Sequence, residues 1–330
     1  MTSAEDRMQL KQTVESIIVG QGNDFIKELL RKNNIKIGIN KADFLRNMFD
    51  AIDEERLTLI MLEEWLYEIE GWGDQHIYLY QPLSFNMDQI KDMVISSQFA
   101  DRLDRASTHE FPAELSLTNI SITNTLISFS WHRGNRDWFR VKSKDFQRNE
   151  DGDLYDFRAF RQTSDRSVVR FEWYVTNPYC AIFMQQPNID TIHEDILENI
   201  TSVLREIGLC QNQLNTVTIN NAVNSMSADP SHVTATSRTL RTDGGHIDLV
   251  SNLPDGGIED VAAVREVSRA VNPANFRSSE GKFKLEQEVH PSLSRDVKLE
   301  LFGFESRIRI WVKCKRDDVY TVIGMIWASN

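Results

Sequence analysis

The chain has 330 residues, 41% of them hydrophobic and 26% charged, an ordinary globular composition with room for a sizeable core and two or three domains. Its formal net charge of -12 argues against a surface coated for nucleic acid, because that affinity comes largely from Lys and Arg displacing counterions around phosphate. An acidic chain can still bind phosphate where its basic residues gather, so the distribution of charge matters more than its sum.

The first hundred residues read as helical. Met8, Val14, Ile17 and Ile18 mark an amphipathic first helix, Phe25, Leu29 and Leu30 a second, and Phe44, Leu45 and Met48 a short third. Leu62, Trp65, Leu66 and Ile69 recur at helical spacing until GWGD, Gly71 to Asp74, stops the stripe. HIYLY, His76 to Tyr80, reads as a strand, and Ile90, Met93, Val94 and Leu103 as one face of another helix. The pattern then changes to period two, with Leu115 and Leu117, then Ile127, Phe129 and Trp131, then Val169, Phe171, Trp173 and Val175 alternating with their neighbours. NEDGDL, Asn149 to Leu154, carries an Asp-Gly hairpin signal, so residues 111–186 read as an antiparallel meander with one wet face.

After QPNID, Ile196, Ile200, Val203, Leu204 and Ile207 mark a helix. Residues 211–257 are rich in Asn, Ser, Thr, Asp and Gly and read as irregular structure or an insertion. Gly256 to Val271 reads as a helix with acidic residues near its start. Four strands are expected beyond it: KFKLEQEV, DVKLELFG, SRIRIWVKC and a final apolar VYTVIGMIW. In the third, Ile308, Ile310 and Val312 face one way and Arg307, Arg309, Trp311 and Lys313 the other. The fold class expected is α+β, with a helical domain over 1–110, a β meander plus helix over 111–210, and an irregular insertion, helix and C-terminal sheet over 211–330.

Two windows stand out against the acidic background. Ile26 to Met48 holds Lys27, Arg31, Lys32, Lys36, Lys41 and Arg46 against only Glu28 and Asp43. Its outline is helix, short link, helix, with the second helix starting near Asn40 or Lys41, where backbone amides and Lys41 meet a phosphate and Lys32 and Lys36 flank it. The bland alternative is a solvated basic face balancing Asp50 to Glu70, which carries eight acids and one Arg. The second window, Trp131 to Arg148, holds Arg133, Arg136, Arg140, Lys142, Lys144 and Arg148 against Asp137 and Asp145, with Trp131, Trp138, Phe139 and Phe146 interleaved. Cations with aromatics suit a groove in which bases stack and phosphates pair, while strand alternation alone gives a sheet that is aromatic inside and basic outside.

The first window resembles the SAP motif, a small DNA-binding module, through Glu28, Leu29, Leu30, Ile35, Lys41, Ala42, Asp43 and Phe44, over about 23 residues. Asn34 stands where the motif has Gly, and Asn tolerates the left-handed backbone that Gly supplies. Gly38 falls one place early. The order of a helical N-terminal domain, EERLTLIMLEEWLYEIEGWGDQHIYLY, a β-rich middle and a β-rich C-terminal part is similar to the centromere protein N family. That resemblance implies a nucleic-acid-binding adaptor with a partner on its C-terminal part, and fixes no residue.

Enzyme motifs are absent: there is no phosphate-binding G-x-x-x-x-G-K-[ST], no G-x-S-x-G and no H-E-x-x-H. Cys180 lies in an apolar strand pattern and reads as core. Asp151, Asp153 and Asp156 have a spacing that could hold calcium, but the twelfth-position Glu is missing and a plain turn is the simpler reading. Glu280 and Lys282, with Asp260 upstream, are the weak trace of a metal-dependent nuclease. Cys180, Cys210 and Cys314 are widely spaced and odd in number, which fits neither a disulfide framework nor a zinc site and suits a reducing compartment. No stretch approaches the roughly 20 apolar residues of a membrane span, and the polar, acidic start MTSAEDRMQLKQ is no secretory signal.

The sequence therefore leads to an intracellular, cytoplasmic or nucleoid/nuclear, non-catalytic DNA-binding adaptor without cofactor or metal. The contacts expected are Lys32, Lys36, Lys41, Arg46, Arg133, Arg136, Lys142 and Lys144, on phosphate rather than on bases. A protein partner or self-association is expected through the C-terminal half. A pure interaction scaffold and an atypical nuclease are the alternatives.

Overall fold

The computed structural model describes residues 4–185, 193–242, 244–253, 256–270 and 277–330. The fold is α+β, as expected, with nine α-helices and a ten-stranded sheet among the described residues. Two compact units form. One comprises the chain up to Trp65, Ala106–Thr118 and Trp131–Ser167; the other comprises Leu66–Arg105, Asn119–Ser130 and the chain from Val168 onward.

The first unit opens with α1 (Ala4–Gly20), α2 (Asn23–Lys32), α3 (Lys41–Asp53) and most of α4 (Leu59–Ile69). Leu10, Val14, Ile17 and Ile18 form the buried stripe of α1, whereas Met8 is 63% exposed, so the stripe starts a residue pair later than the sequence suggests. Phe25, Ile26, Leu29 and Leu30 from α2 and Phe44, Met48, Ala51 and Ile52 from α3 complete this helical core. The Trp65 indole N–H donates to the Phe25 carbonyl at 3.3 Å. A later segment returns to the helices: Thr13 and His109 share a hydrogen bond of 2.5 Å, and the Thr108 hydroxyl donates to Glu63 at 2.9 Å. Arg166 donates to the Ser107, Thr108 and Glu110 carbonyls at 2.7, 3.0 and 3.1 Å, satisfying three acceptors of that segment with one guanidinium group.

The other elements follow in chain order. They are β1 (Gly73–Tyr80), α5 (Met87–Ile95), β2 (Ser116–Ile122), β3 (Leu126–Arg140), β4 (Phe146–Glu150), β5 (Asp153–Phe157), β6 (Phe160–Tyr174) and β7 (Cys180–Gln185). Then come α6 (His193–Ile207), α7 (Asn220–Ser227), β8 (Thr234–Thr242), β9 (Gly245–Val250), α8 (Ala262–Ala270), β10 (Arg277–Leu285), β11 (Val297–Phe302), β12 (Arg307–Lys313) and α9 (Arg316–Ala328). The sheet order is β2-β3-β6-β7-β1-β12-β11-β10-β8-β9, and β4 and β5 form a separate hairpin. Asp151 and Gly152 turn that hairpin at φ 50° and 91°, both positive, as an Asp-Gly two-residue loop requires.

In the second unit one sheet face packs on helices. Ile77, Leu79, Phe183, Phe283, Leu299, Leu301, Ile308 and Ile310 join Val223 and Met226 of α7 and Val319, Val322, Ile323 and Ile326 of α9 in one core. Pairing of Ile77 with both Ile308 and Phe183 fixes the register through β1. The alternation expected in β12 holds, since Ile308 and Ile310 are fully buried while Trp311 is 41% exposed.

Three expectations fail, the smallest being Leu103, which lies past the end of α5 and bridges Ile120 instead of joining that helical face. The final apolar run is not a strand: α9 buries residues 319, 322, 323 and 326, a helical spacing that its Val and Ile content disguised. The α9 start is fixed by Asp318, whose carboxylate accepts from the Lys315 and Ser294 backbone amides at 2.8 and 2.6 Å. Residues 211–257 are not an irregular insertion either, because they hold α7, β8 and β9. The strand β8 looks like a loop in sequence because it is rich in Ser and Thr and carries few core side chains, and pairing with β10 and β9 on its two sides orders it. The helix expected over 256–271 begins as a 3₁₀ turn, Ile258–Asp260, and continues as α8. QPNID and Val271 lie outside the described residues.

Candidate nucleic-acid interface

Helix α2 ends at Lys32, Asn34 takes φ 53°, Ile35 turns into the core at 4% exposure, and α3 starts at Lys41. The helix, link and helix outline is therefore present, with the left-handed residue at the position where the sequence substitutes Asn for Gly. Its link is tied down at both ends. The Asn47 side chain donates to the Lys36 carbonyl at 2.7 Å, and the Ile39 amide donates to Asp43 Oδ2 at 3.1 Å. Asn40 caps α3 by accepting from the Asp43 amide at 3.0 Å. A Cβ on Gly38 would lie 2.1 Å from the Asp43 Cβ, so the link approaches α3 too closely for any larger residue.

This geometry redistributes the expected phosphate contacts. The Ile39 amide, with Arg46 assisting, holds the Asp43 carboxyl below its usual carboxylate range, so a negative charge sits at the α3 N-terminus. Arg46 pairs with it at 2.9 Å. A phosphate approaching the α3 amides meets that carboxylate first. Lys32 and Lys36 are exposed, and among the described residues neither has a carboxylate partner. Lys41 is half-buried and already interacts with another group.

Nor do Lys32 and Lys36 neutralise the acidic run that follows, among the described residues. Asp53 pairs with Lys11 at 2.6 Å, Glu55 with Arg7 at 3.9 Å and Glu54 with Arg56 at 2.5 Å. Cations of α1 and a local Arg thus take the role that the bland reading gave to the window.

The second window lies in the same unit as the first. It runs along the outer end of β3, through the 3₁₀ turn Lys142–Lys144, into β4. Trp131 is fully buried, but Trp138, Phe139 and Phe146 are 65, 67 and 55% exposed. The aromatic-inside, basic-outside sheet therefore stops at Trp131. Beyond it, Phe139 is exposed where strand alternation alone would bury it. Leu154, Tyr155, Phe157 and Phe160 extend the exposed set, and the Phe146 and Phe157 rings stack at 4.9 Å. Arg140 is engaged by Asp145 at 2.8 Å, and Arg148 by Glu150 at 2.8 Å. The Ala159 amide and Arg140 hold the Asp145 carboxyl low. Arg136, Lys142 and Lys144 are exposed without a carboxylate partner among the described residues, while Arg133 is exposed and interacts with another group.

Sequence reasoning missed the exposed Ile37 and Ile39 of the link. The alternation Ile35, Ile37, Ile39 was legible, but only the first enters the core. The exposed Leu154, Tyr155, Phe157 and Phe160 were missed because a hairpin signal says nothing of what covers it.

The remaining candidates dissolve into structure. Cys180 is fully buried, its thiol is pushed up to about 12 by burial, and it donates to the Gln81 carbonyl at 3.2 Å. Glu280 is held by Arg241 at 2.8 Å, Lys282 by Glu300 at 3.6 Å, and Asp260 accepts from the Gly257 amide at 2.8 Å. An open cleft of about 500 Å³ on this outer sheet face is lined by Thr236, Lys282, Lys298 and Trp311 among others. Among the described residues no three metal-ligating side chains gather, and no helix is long and apolar enough to cross a membrane.

No protein-family model matches the chain, and comparison with curated proteins gave no match.

Proposed function

We propose that the chain is a non-catalytic DNA-binding adaptor whose first unit holds the phosphate backbone. One observation carries the reading. Five exposed cations, Lys32, Lys36, Arg136, Lys142 and Lys144, stand without carboxylate partners among the described residues of one unit, in a chain of net charge -12. Other cations of the chain are paired with acids, Lys11 and Arg140 in the same unit and Arg241 and Lys284 in the second. Exposed cations without carboxylate partners leave positive charge uncompensated, and a polyanion that takes it up releases its counterions. The helix, link and helix of α2 and α3 supports the resemblance to the SAP motif, and the exposed aromatics of the β3 to β6 arm supply faces on which unpaired bases stack. Lys41, Arg46 and Arg133 are assigned lesser roles, because each already has an interaction.

Binding is read by fluorescence anisotropy of a labelled 20-base-pair duplex over a salt series. Lys32→Ala and Lys36→Ala are each expected to reduce the slope of log affinity against log salt by about 1. Parental affinity in the double variant Lys32→Glu, Lys36→Glu would refute the role of this window.

The partner expected on the C-terminal half is assigned to β9, the terminal strand of the sheet, where backbone groups can add a strand. The apolar C-terminal segment is excluded from that role, since α9 buries it. If the partner is a second copy, sedimentation velocity gives a concentration-dependent dimer, which a proline scan of β9 removes. A dimer indifferent to every proline counts against this edge.

A further inference from the structure

Ile39 is 92% exposed, the most exposed large apolar side chain among the described residues, and Ile37 two places before it is 37% exposed. A single exposed isoleucine needs no explanation, because folded surfaces are largely apolar. This one is set apart by how it is held. The link that carries it is fixed by the Asn47 bond to the Lys36 carbonyl, by the Ile39 amide on Asp43 and by the Asn40 cap, while Gly38 is pressed against α3. Three side-chain hydrogen bonds and one close approach thus hold a link, residues 33–40, whose outcome is to present an isoleucine to water. Lys36 and Lys32, both exposed and without carboxylate partners among the described residues, precede it in the chain.

We infer that Ile39 is an apolar wedge that enters the groove of duplex DNA while Lys32 and Lys36, which precede it in the chain, hold the phosphate backbone. This rests on the DNA-binding reading above and adds the contact that phosphate pairing cannot supply. Apolar side chains placed at a groove insert against or between base pairs and favour steps that unstack easily, such as TA. A pinned link suits that task, since little conformational freedom is lost on insertion. Charge complementarity selects the duplex over a bilayer: two exposed lysines without carboxylate partners among the described residues precede the isoleucine in the chain, the Asp43 carboxylate that holds the Ile39 amide is paired with Arg46, and one isoleucine with a half-exposed neighbour is a small apolar anchor for a membrane.

The test compares the full chain with Ile39→Ala and Lys32→Ala by anisotropy on a duplex with a central TA step, over a salt series. Ile39→Ala is expected to weaken binding about tenfold at every salt concentration with the slope unchanged, whereas Lys32→Ala flattens the slope. With 2-aminopurine at the central step, the parent raises the fluorescence and Ile39→Ala does not. Unchanged melting of Ile39→Ala by circular dichroism shows that the loss is not one of folding. If Ile39→Ala binds like the parent while Lys32→Ala is weakened, the wedge is overturned and the DNA-binding reading survives. If the parent does not bind the duplex, both fall. Binding instead to phosphatidylserine-containing vesicles, lost in Ile39→Ala, would reassign the link to an anionic lipid surface and overturn the proposal.

Discussion

Glu172 and Arg316, 144 residues apart in sequence, form an ion pair of 2.7 Å with 2 and 7% of each residue exposed. Glu172 also accepts from the Tyr320 hydroxyl, and Arg316 donates to the Tyr174 hydroxyl at 2.7 Å. The guanidinium lies over the rings of Tyr67 and Tyr320 at 4.6 and 4.7 Å. Burial, the largest single influence, presses Arg316 toward neutrality, but Glu172 together with Tyr320, Tyr67 and Tyr174 outweighs it and its pKa rises. The pair locks the first turn of α9 to β6. Arg316→Leu leaves Glu172 charged and buried, and is expected to cost about 3–5 kcal/mol. The double variant Glu172→Leu, Arg316→Leu should recover part of that loss. Urea denaturation of the two variants measures the difference, and equal stabilities would show that Glu172 left without Arg316 carries no penalty.

Acid should weaken the second unit through His76. Burial pushes its pKa down to about 3, with His193, whose ring centroid is 4.3 Å away, and Arg307 adding to the effect. A histidine kept neutral in the fold binds its proton more readily when unfolded. Stability is therefore complete above the unfolded value near 6.5 and falls as pH drops from there toward 3. At pH 5 the deficit is about 2 kcal/mol. His76→Gln keeps an acceptor near Arg307 and should flatten the stability profile between pH 7 and 5, as read by urea midpoints. A profile as steep as the parent's would assign the acid sensitivity elsewhere.

Gly73 has φ 71°, and a Cβ there would meet the Val312 carbonyl oxygen at 2.0 Å and the Cys314 amide nitrogen at 2.5 Å. Both neighbours are backbone and cannot swing aside. Gly73→Ala is expected to lower stability by roughly 3 kcal/mol, combining left-handed strain with overpacking. Thermal melting checks this, and a loss below about 1 kcal/mol would mean that the β1 start can shift.

The exposed aromatics of the arm predict a separable binding defect. Trp138→Ala with Phe139→Ala should weaken affinity for single-stranded oligonucleotides by at least tenfold, at about 1–3 kcal/mol for each stacked base. Melting should stay within about 0.5 kcal/mol of the parent, because both side chains are already in water. Anisotropy with a labelled oligothymidine reads the first effect. Parental affinity would leave the arm without a role in base stacking.

The sequence by itself determined what lies within a few turns of chain. The amphipathic α2 and α3, the Asn34 turn between them, the Asp151–Gly152 hairpin and the inward Ile308 and Ile310 all follow from periodicity or turn chemistry over fewer than a dozen residues. Tertiary structure alone decided that α9 is a helix, since its β-branched residues suit either element until the core takes positions 319, 322, 323 and 326. It also decided which charges are neutralised: Lys11, far from the acidic run in sequence, takes Asp53, and Lys32 and Lys36 are left to solvent. Burial and ion pairing are set by partners that the chain brings from a distance, and local pattern carries no record of them.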